Sequence, residues 1–245
     1  MLLHQQLRSC IVSTHARNVD LFKKAKLFLS PVYTIKRAFI RRYLARHTRQ
    51  ISSFGGSGTS MLCRFLEQKD IGLPKVVEAD WAPWKHMRHP PLDHTVQQNF
   101  RALYLVADPR DAILSVFRRG YQHWHIQRME GDVLSWNYSW DLEQFLAHRY
   151  DHFKIEEHFD NWTKDHRRYP IMIVKYDALW RHLPEVFGFI GAPLESIAEF
   201  PQWKERNVNW RMERKEIRDA LNLLYGDLAE EIAMMKDINL SQPER

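Results

Sequence analysis

The sequence predicts an α/β fold, a central parallel sheet flanked by helices. Three observations predict it. A short β-prone run at residues 50–54 and apolar runs of strand length at 102–107 and 171–176 recur, the apolar ones as expected of strands buried on both faces. Segments with apolar residues at helical spacing follow them. Gly, Pro and Asp punctuate the strand ends, where they stop strands and start helices. Alternation of strand and helix is the pattern of a parallel sheet.

Taken in order, residues 1–49 read as a basic helical N-terminal extension and 50–245 as one α/β domain. Within the extension, Ile35, Phe39, Ile40, Tyr43 and Leu44 recur at helical spacing with Arg and Lys between them. This predicts a basic amphipathic helix, either packed on the domain or lying against a membrane surface or partner. The first strand ends in Phe54-Gly55-Gly56-Ser57-Gly58-Thr59-Ser60 and feeds a helix from Ser60 to Glu67. A second strand is predicted over 74–79. The third, over 102–107, stops at Asp108-Pro109-Arg110-Asp111, good helix-start chemistry for a helix over 112–119. Residues 120–170 read as a helical stretch dense in His, Trp and Tyr. A fourth strand covers 171–176, and 213–236 reads as one or two amphipathic helices. No repeat and no Gly/Ser linker divides the domain.

The formal net charge is +6, which favours anionic partners such as nucleotides, sulfated or phosphorylated substrates, or a membrane surface. Nucleic acid is not expected, because the basic residues concentrate in the extension and no recognised motif is present. The two cysteines, Cys10 and Cys63, have neither metal-type spacing nor a disulfide framework. No run of 18 apolar residues occurs, and the N-terminus lacks the layout of a secretory signal. The expectation is a cytoplasmic protein with peripheral membrane contact through residues 23–46.

The loop at 54–60 is a recipe for holding an anion. Glycines let the backbone approach a ligand at positive φ. The first helical turn offers unpaired N–H groups and the positive end of the helix dipole, and Thr59 and Ser60 add hydroxyls. A plain glycine-rich helix cap is the competing reading. The loop is not a standard nucleoside-triphosphatase loop, which needs Lys after its last Gly; here Thr59 follows Gly58.

Together with two later segments, the loop resembles the sulfotransferases that use 3′-phosphoadenylyl sulfate (PAPS). Their first motif, Pro-Arg/Lys-Ser-Gly-Thr-Thr/Ser, holds the 5′-phosphosulfate and aligns with Gly55-Gly56-Ser57-Gly58-Thr59-Ser60. Their second, Arg-Asp/Asn-Pro-Arg/Lys-Asp with a later Ser, holds the 3′-phosphate and aligns with Ala107-Asp108-Pro109-Arg110-Asp111 and Ser115. Their third, Arg-Tyr-Glu-Asp-Leu and then Phe-Leu-Gly-x-Pro, aligns with Lys175-Tyr176-Asp177-Ala178-Leu179 and Phe189-Ile190-Gly191-Ala192-Pro193. Trp210-Arg211 leading into a closing helix is also similar. The resemblance spans about residues 50 to 230 in the right order. It implies a fold akin to the nucleotide kinases, PAPS as donor, no metal, and donor contacts from Gly55, Gly56, Ser57, Gly58, Thr59, Ser60, Arg110 and Ser115.

Two departures each remove a cation that the family uses. Gly56 stands where the first motif has Arg or Lys, and Ala107 where the second has Arg. Each lost charge-assisted hydrogen bond costs about 1.5–3 kcal/mol. Lys85, Arg88, Arg110, Arg118 and Arg119 are the candidates to compensate. Transfer to a hydroxyl or amine also needs a general base, worth roughly 10²–10⁴-fold. By the family's spacing this is His86, with Asp80 and His89 as alternatives and Glu78 behind them. His123, His125, His148, His152 and His158 lack a metal-ligand pattern and read as an acceptor-pocket or surface feature. Trp124, Trp136, Tyr138 and Trp140 form either an aromatic acceptor wall or core. Three activities remain open: a sulfotransferase acting on a glycan, lipid or small metabolite; an inactive or weakly active anion-binding relative; and a kinase relative using a nucleoside triphosphate.

Overall fold

The computed structural model describes residues 46–73, 83–122, 125–126, 140–204 and 207–241. All of them belong to one compact unit, Arg42–Arg245. The strand expected at 74–79 lies outside the described residues, as does the basic helix apart from Arg46. So do Cys10, Glu78, Asp80, His123, Trp124, Trp136 and Tyr138.

Four strands form one open sheet in the order β1 (Arg49–Ser52), β2 (Arg101–Val106), β3 (Ile171–Lys175), β4 (Ile238–Ser241). The first three are parallel, with Ile51 opposite Leu103 and Tyr104 opposite Ile173. The expectation of a parallel sheet needs correcting at one edge, where β4 runs antiparallel to β3 and sets Asn239 opposite Ile173. Several helices separate β3 from β4, so no single crossover fixes the direction of the last strand.

Six helices flank the sheet among the described residues: α1 (Thr59–Glu67), α2 (Pro109–Arg118), α3 (Leu142–Ala147), α4 (Ile155–Thr163), α5 (Leu183–Ile190) and α6 (Lys215–Met234). The tail expected as one or two helices is therefore a single one. The pleat of β2 divides the core. Ala102, Tyr104 and Val106 point to one face and meet Ile113 and Val116 of α2, Phe145 of α3, Phe159 and Trp162 of α4, and Leu221 and Tyr225 of α6. Leu103 and Leu105 point to the other and meet Leu62 and Leu66 of α1 and Val186, Phe187 and Ile190 of α5. A strand buried on both sides reads as a continuous apolar run because every residue has a helix to pack on.

Local chemistry explains where the helices start. Asp108 accepts from the Arg110 N–H at 3.0 Å and Pro109 opens α2, an N-cap followed by a residue whose missing N–H costs nothing there. Asp151 accepts from the N–H groups of Phe153 and Ile155 ahead of α4, and from the Tyr225 hydroxyl of α6 at 2.8 Å. No helix among the described residues is long and apolar enough to cross a membrane.

Candidate functional site

The three parallel strands deliver their carboxyl ends to one edge of the sheet, the usual place for ligands in open α/β sheets. β1 runs into the glycine loop, β2 into Asp108 and α2, and β3 into Tyr176. These segments converge on the loop. Gly55, Gly56 and Gly58 have φ of +107°, +66° and +73°, values costly for any residue with a Cβ. At Gly56 a Cβ would stand 2.7 Å from Ala112 Cα, and at Gly58 it would run into the Tyr176 ring. The loop is braced internally. Thr59 Oγ1 donates to Ser53 Oγ at 2.6 Å, the Gly55 N–H donates to the same oxygen at 3.1 Å, and Ser57 Oγ donates to the Gly55 carbonyl at 3.0 Å. The N–H groups of Ser57, Gly58, Thr59 and Ser60 donate to no acceptor among the described residues, as expected where a helix begins.

A cation sits beside this turn. Lys85 is fully buried and its Nζ donates to Ser60 Oγ at 2.8 Å. β1 holds it there: the Ser53 N–H donates to the Lys85 carbonyl at 2.9 Å, Ser52 Oγ donates to the same carbonyl at 3.1 Å, and Gln50 Nε2 donates to the Trp84 carbonyl at 2.9 Å. Burial pushes the Cys63 thiol on the next turn of α1 up to about 12, and the Lys85 charge pulls against that rise. Negative charge brought to the loop is favoured by this ammonium and by the helix dipole together.

His86 follows directly. Its Nδ1 lies 2.9 Å from the Ser53 carbonyl. A carbonyl only accepts, so Nδ1 carries the hydrogen and the neutral ring keeps its lone pair on Nε2. That is the form a general base needs. The alternative His89 is exposed. Arg88 pairs with Glu157, whereas Lys85 bonds to Ser60 at the start of α1.

The second motif divides. Ser115 is half-buried on α2, one turn after Ala112, which touches the loop. Residues three apart share a helix face. Arg119 donates through Nε to the Ser115 carbonyl at 3.0 Å. Arg110, expected to contact the donor, is engaged elsewhere. It pairs with Asp108 at 2.7 Å, donates to Asn222 Oδ1 at 2.7 Å and lies 3.9 Å from the Trp210 ring centroid. The Trp210 Nε1–H donates to the same Asp108 at 3.1 Å and its backbone N–H donates to Asp111 at 2.7 Å. Arg110 therefore ties the Trp210 turn and α6 to the start of α2. Arg118 likewise pairs with Glu213 at 2.7 Å.

Two histidines read as acceptor-pocket or surface features are interior. His125 is 6% exposed and His158 fully buried. His158 Nδ1 is 2.9 Å from the Tyr104 hydroxyl, with the rings of Tyr104 and Trp162 stacked at 5.1 Å beside it; burial pushes its pKa down to about 3. His125 lies 71 residues along the chain from Phe54, yet its Nε2 meets the Phe54 carbonyl at 2.5 Å. Nothing in the local sequence signals that contact. Trp140 packs on His148 at 4.1 Å and His152 at 4.9 Å. Among the described residues, no three His, Cys, Asp or Glu side chains gather as metal ligands.

Comparison with known protein families, with curated proteins and with solved structures finds no match to this chain.

Proposed function

We propose that the chain is a PAPS-dependent sulfotransferase that moves a sulfuryl group to the hydroxyl or amine of an acceptor. One observation carries the reading: a braced glycine turn at the mouth of α1 with the buried Lys85 ammonium on its Ser60. The turn offers the amides of residues 57–60, which donate to no acceptor among the described residues, and two sources of positive potential for a phosphosulfate. The clash of a Gly56 Cβ with Ala112 leaves no room for the family's cation in the loop, while Lys85 brings one from the helical turn Pro83–His86. Ser115, with Arg119 beside it, is the matching seat for a 3′-phosphate. His86 Nε2 then takes the acceptor's proton as the acceptor's oxygen or nitrogen bonds to sulfur, the bond from sulfur to the 5′-phosphate oxygen breaks, and adenosine 3′,5′-bisphosphate leaves. The basic segment at 23–46 suits a cytoplasmic enzyme working against a membrane surface.

A second reading, an anion-binding relative with weak or no catalysis, is favoured by Arg110, whose guanidinium is committed to Asp108, Asn222 and Trp210. Turnover separates the two. Release of adenosine 3′,5′-bisphosphate from PAPS is followed with a panel of glycan, lipid and small hydroxyl acceptors, for the wild type and His86→Ala. The enzyme reading expects acceptor-dependent release that drops at least about a hundredfold in the variant, with donor binding retained. Binding without release on any acceptor selects the second reading, and unchanged release in the variant removes His86 from the base role.

A further inference from the structure

His125 meets the loop in a way that gives it a task. Its Nε2 is 2.5 Å from the Phe54 carbonyl. Because a carbonyl cannot donate, Nε2 carries the hydrogen. The ring also fills the space over Gly55, where a Cβ would stand 2.5 Å from Nε2 and 2.6 Å from Cε1. It crosses the His86 ring edge-on at 4.8 Å between centroids. His86 in turn donates to the Ser53 carbonyl. Two neighbouring imidazoles, from distant parts of the chain, thus hold the consecutive carbonyls at which β1 becomes the loop. Phe153 backs the His125 ring at 5.7 Å, so the ring is supported from the core side.

We propose that His125 is a positioning residue of the loop site, fixing the Phe54 carbonyl so that the following amides face the anion and seating the His86 ring beside it. This rests on residues 54–60 being the anion site. If the donor hydrogen bond is what matters, a side chain that keeps a nitrogen donor at similar reach restores function, and one that keeps only the ring does not. If His125 merely fills space, the order reverses.

The experiment has two parts. In the first, His125→Gln and His125→Phe are compared with the wild type for binding of adenosine 3′,5′-bisphosphate by calorimetry, with thermal melts as the folding control. His125→Phe is expected to lose about tenfold in affinity, the scale of one hydrogen bond, and His125→Gln to stay within about threefold. Retention in His125→Phe, or equal loss in both, overturns the proposal. In the second, nitrogen NMR of the wild-type imidazoles needs no variant to fold. It is expected to show His125 protonated on Nε2 and His86 on Nδ1, and the opposite tautomer at His125 overturns the proposal. A wild type that does not bind the nucleotide while showing these tautomers refutes the anion-site reading instead, so the two failures are distinct.

Discussion

Lys85 and Ser60, 25 residues apart in the chain, meet in a 2.8 Å hydrogen bond between Nζ and Oγ. The contact sets a buried positive charge against the first turn of α1. Lys85→Met keeps the buried stem and removes the charge. It is expected to lower affinity for adenosine 3′,5′-bisphosphate about 10- to 100-fold, the scale of a charge-assisted hydrogen bond. Calorimetry measures this, with circular dichroism melts to check folding. Unchanged affinity removes Lys85 from the site.

Restoring the family's cation in the loop is expected to fail. Gly56 has φ of +66°, and its missing Cβ faces Ala112 Cα at 2.7 Å. Gly56→Arg therefore strains the backbone and pushes the loop off α2, at a cost of about 1–3 kcal/mol for the conformation alone. Chemical denaturation is expected to show that loss, and nucleotide affinity to fall rather than rise. A tighter-binding, equally stable variant would mean that the loop and α2 have room that their geometry denies.

Arg110 is expected to act on stability more than on the donor. Its guanidinium bridges Asp108 and Asn222 and lies against Trp210, and Asp108 caps α2. Arg110→Ala leaves the partly buried Asp108 without its cation, which costs about 1–3 kcal/mol. Denaturant midpoints report that loss, and nucleotide affinity within about threefold of wild type is the companion expectation. A large affinity loss with unchanged stability would return Arg110 to the donor site.

His158 gives a pH signature. Burial pushes its folded pKa down from 6.5 to about 3, so the unfolded chain binds the extra proton between those values. Its contribution to stability is complete above about pH 6.5 and is lost as the pH falls toward 3. Between pH 7 and 5 the wild type is expected to lose about 2 kcal/mol more than His158→Gln. Urea unfolding at the two pH values decides, and equal losses would contradict a buried neutral imidazole.

Much of the fold was legible because β2 and β3, buried on both faces, write themselves as apolar runs. β2 and β3 fall within a residue of their expected bounds for that reason. β4 was not legible. It is four residues long, alternates polar and apolar positions, and lies at an edge where one neighbour suffices. The loop announced itself through glycine and hydroxyl spacing, and β1 through the short β-prone run that leads into those glycines. Arg110's bond to Asn222, 112 residues away, was not legible because its motif position says nothing of that residue. His125 carried no signal because its contact with Phe54 is purely tertiary. Motifs reveal groups that touch a ligand through local backbone, and they miss those that reach it across the fold.

The central claim is that residues 54–60, with Lys85 behind them, hold the phosphosulfate end of an adenine nucleotide. Calorimetric titration of the wild-type protein with adenosine 3′,5′-bisphosphate, beside ATP with Mg²⁺, tests it most directly. The account predicts saturable binding of the bisphosphate, tighter than that of ATP and weakened by Lys85→Met. No binding of the bisphosphate at millimolar concentration, or tighter binding of ATP with Mg²⁺, would contradict it.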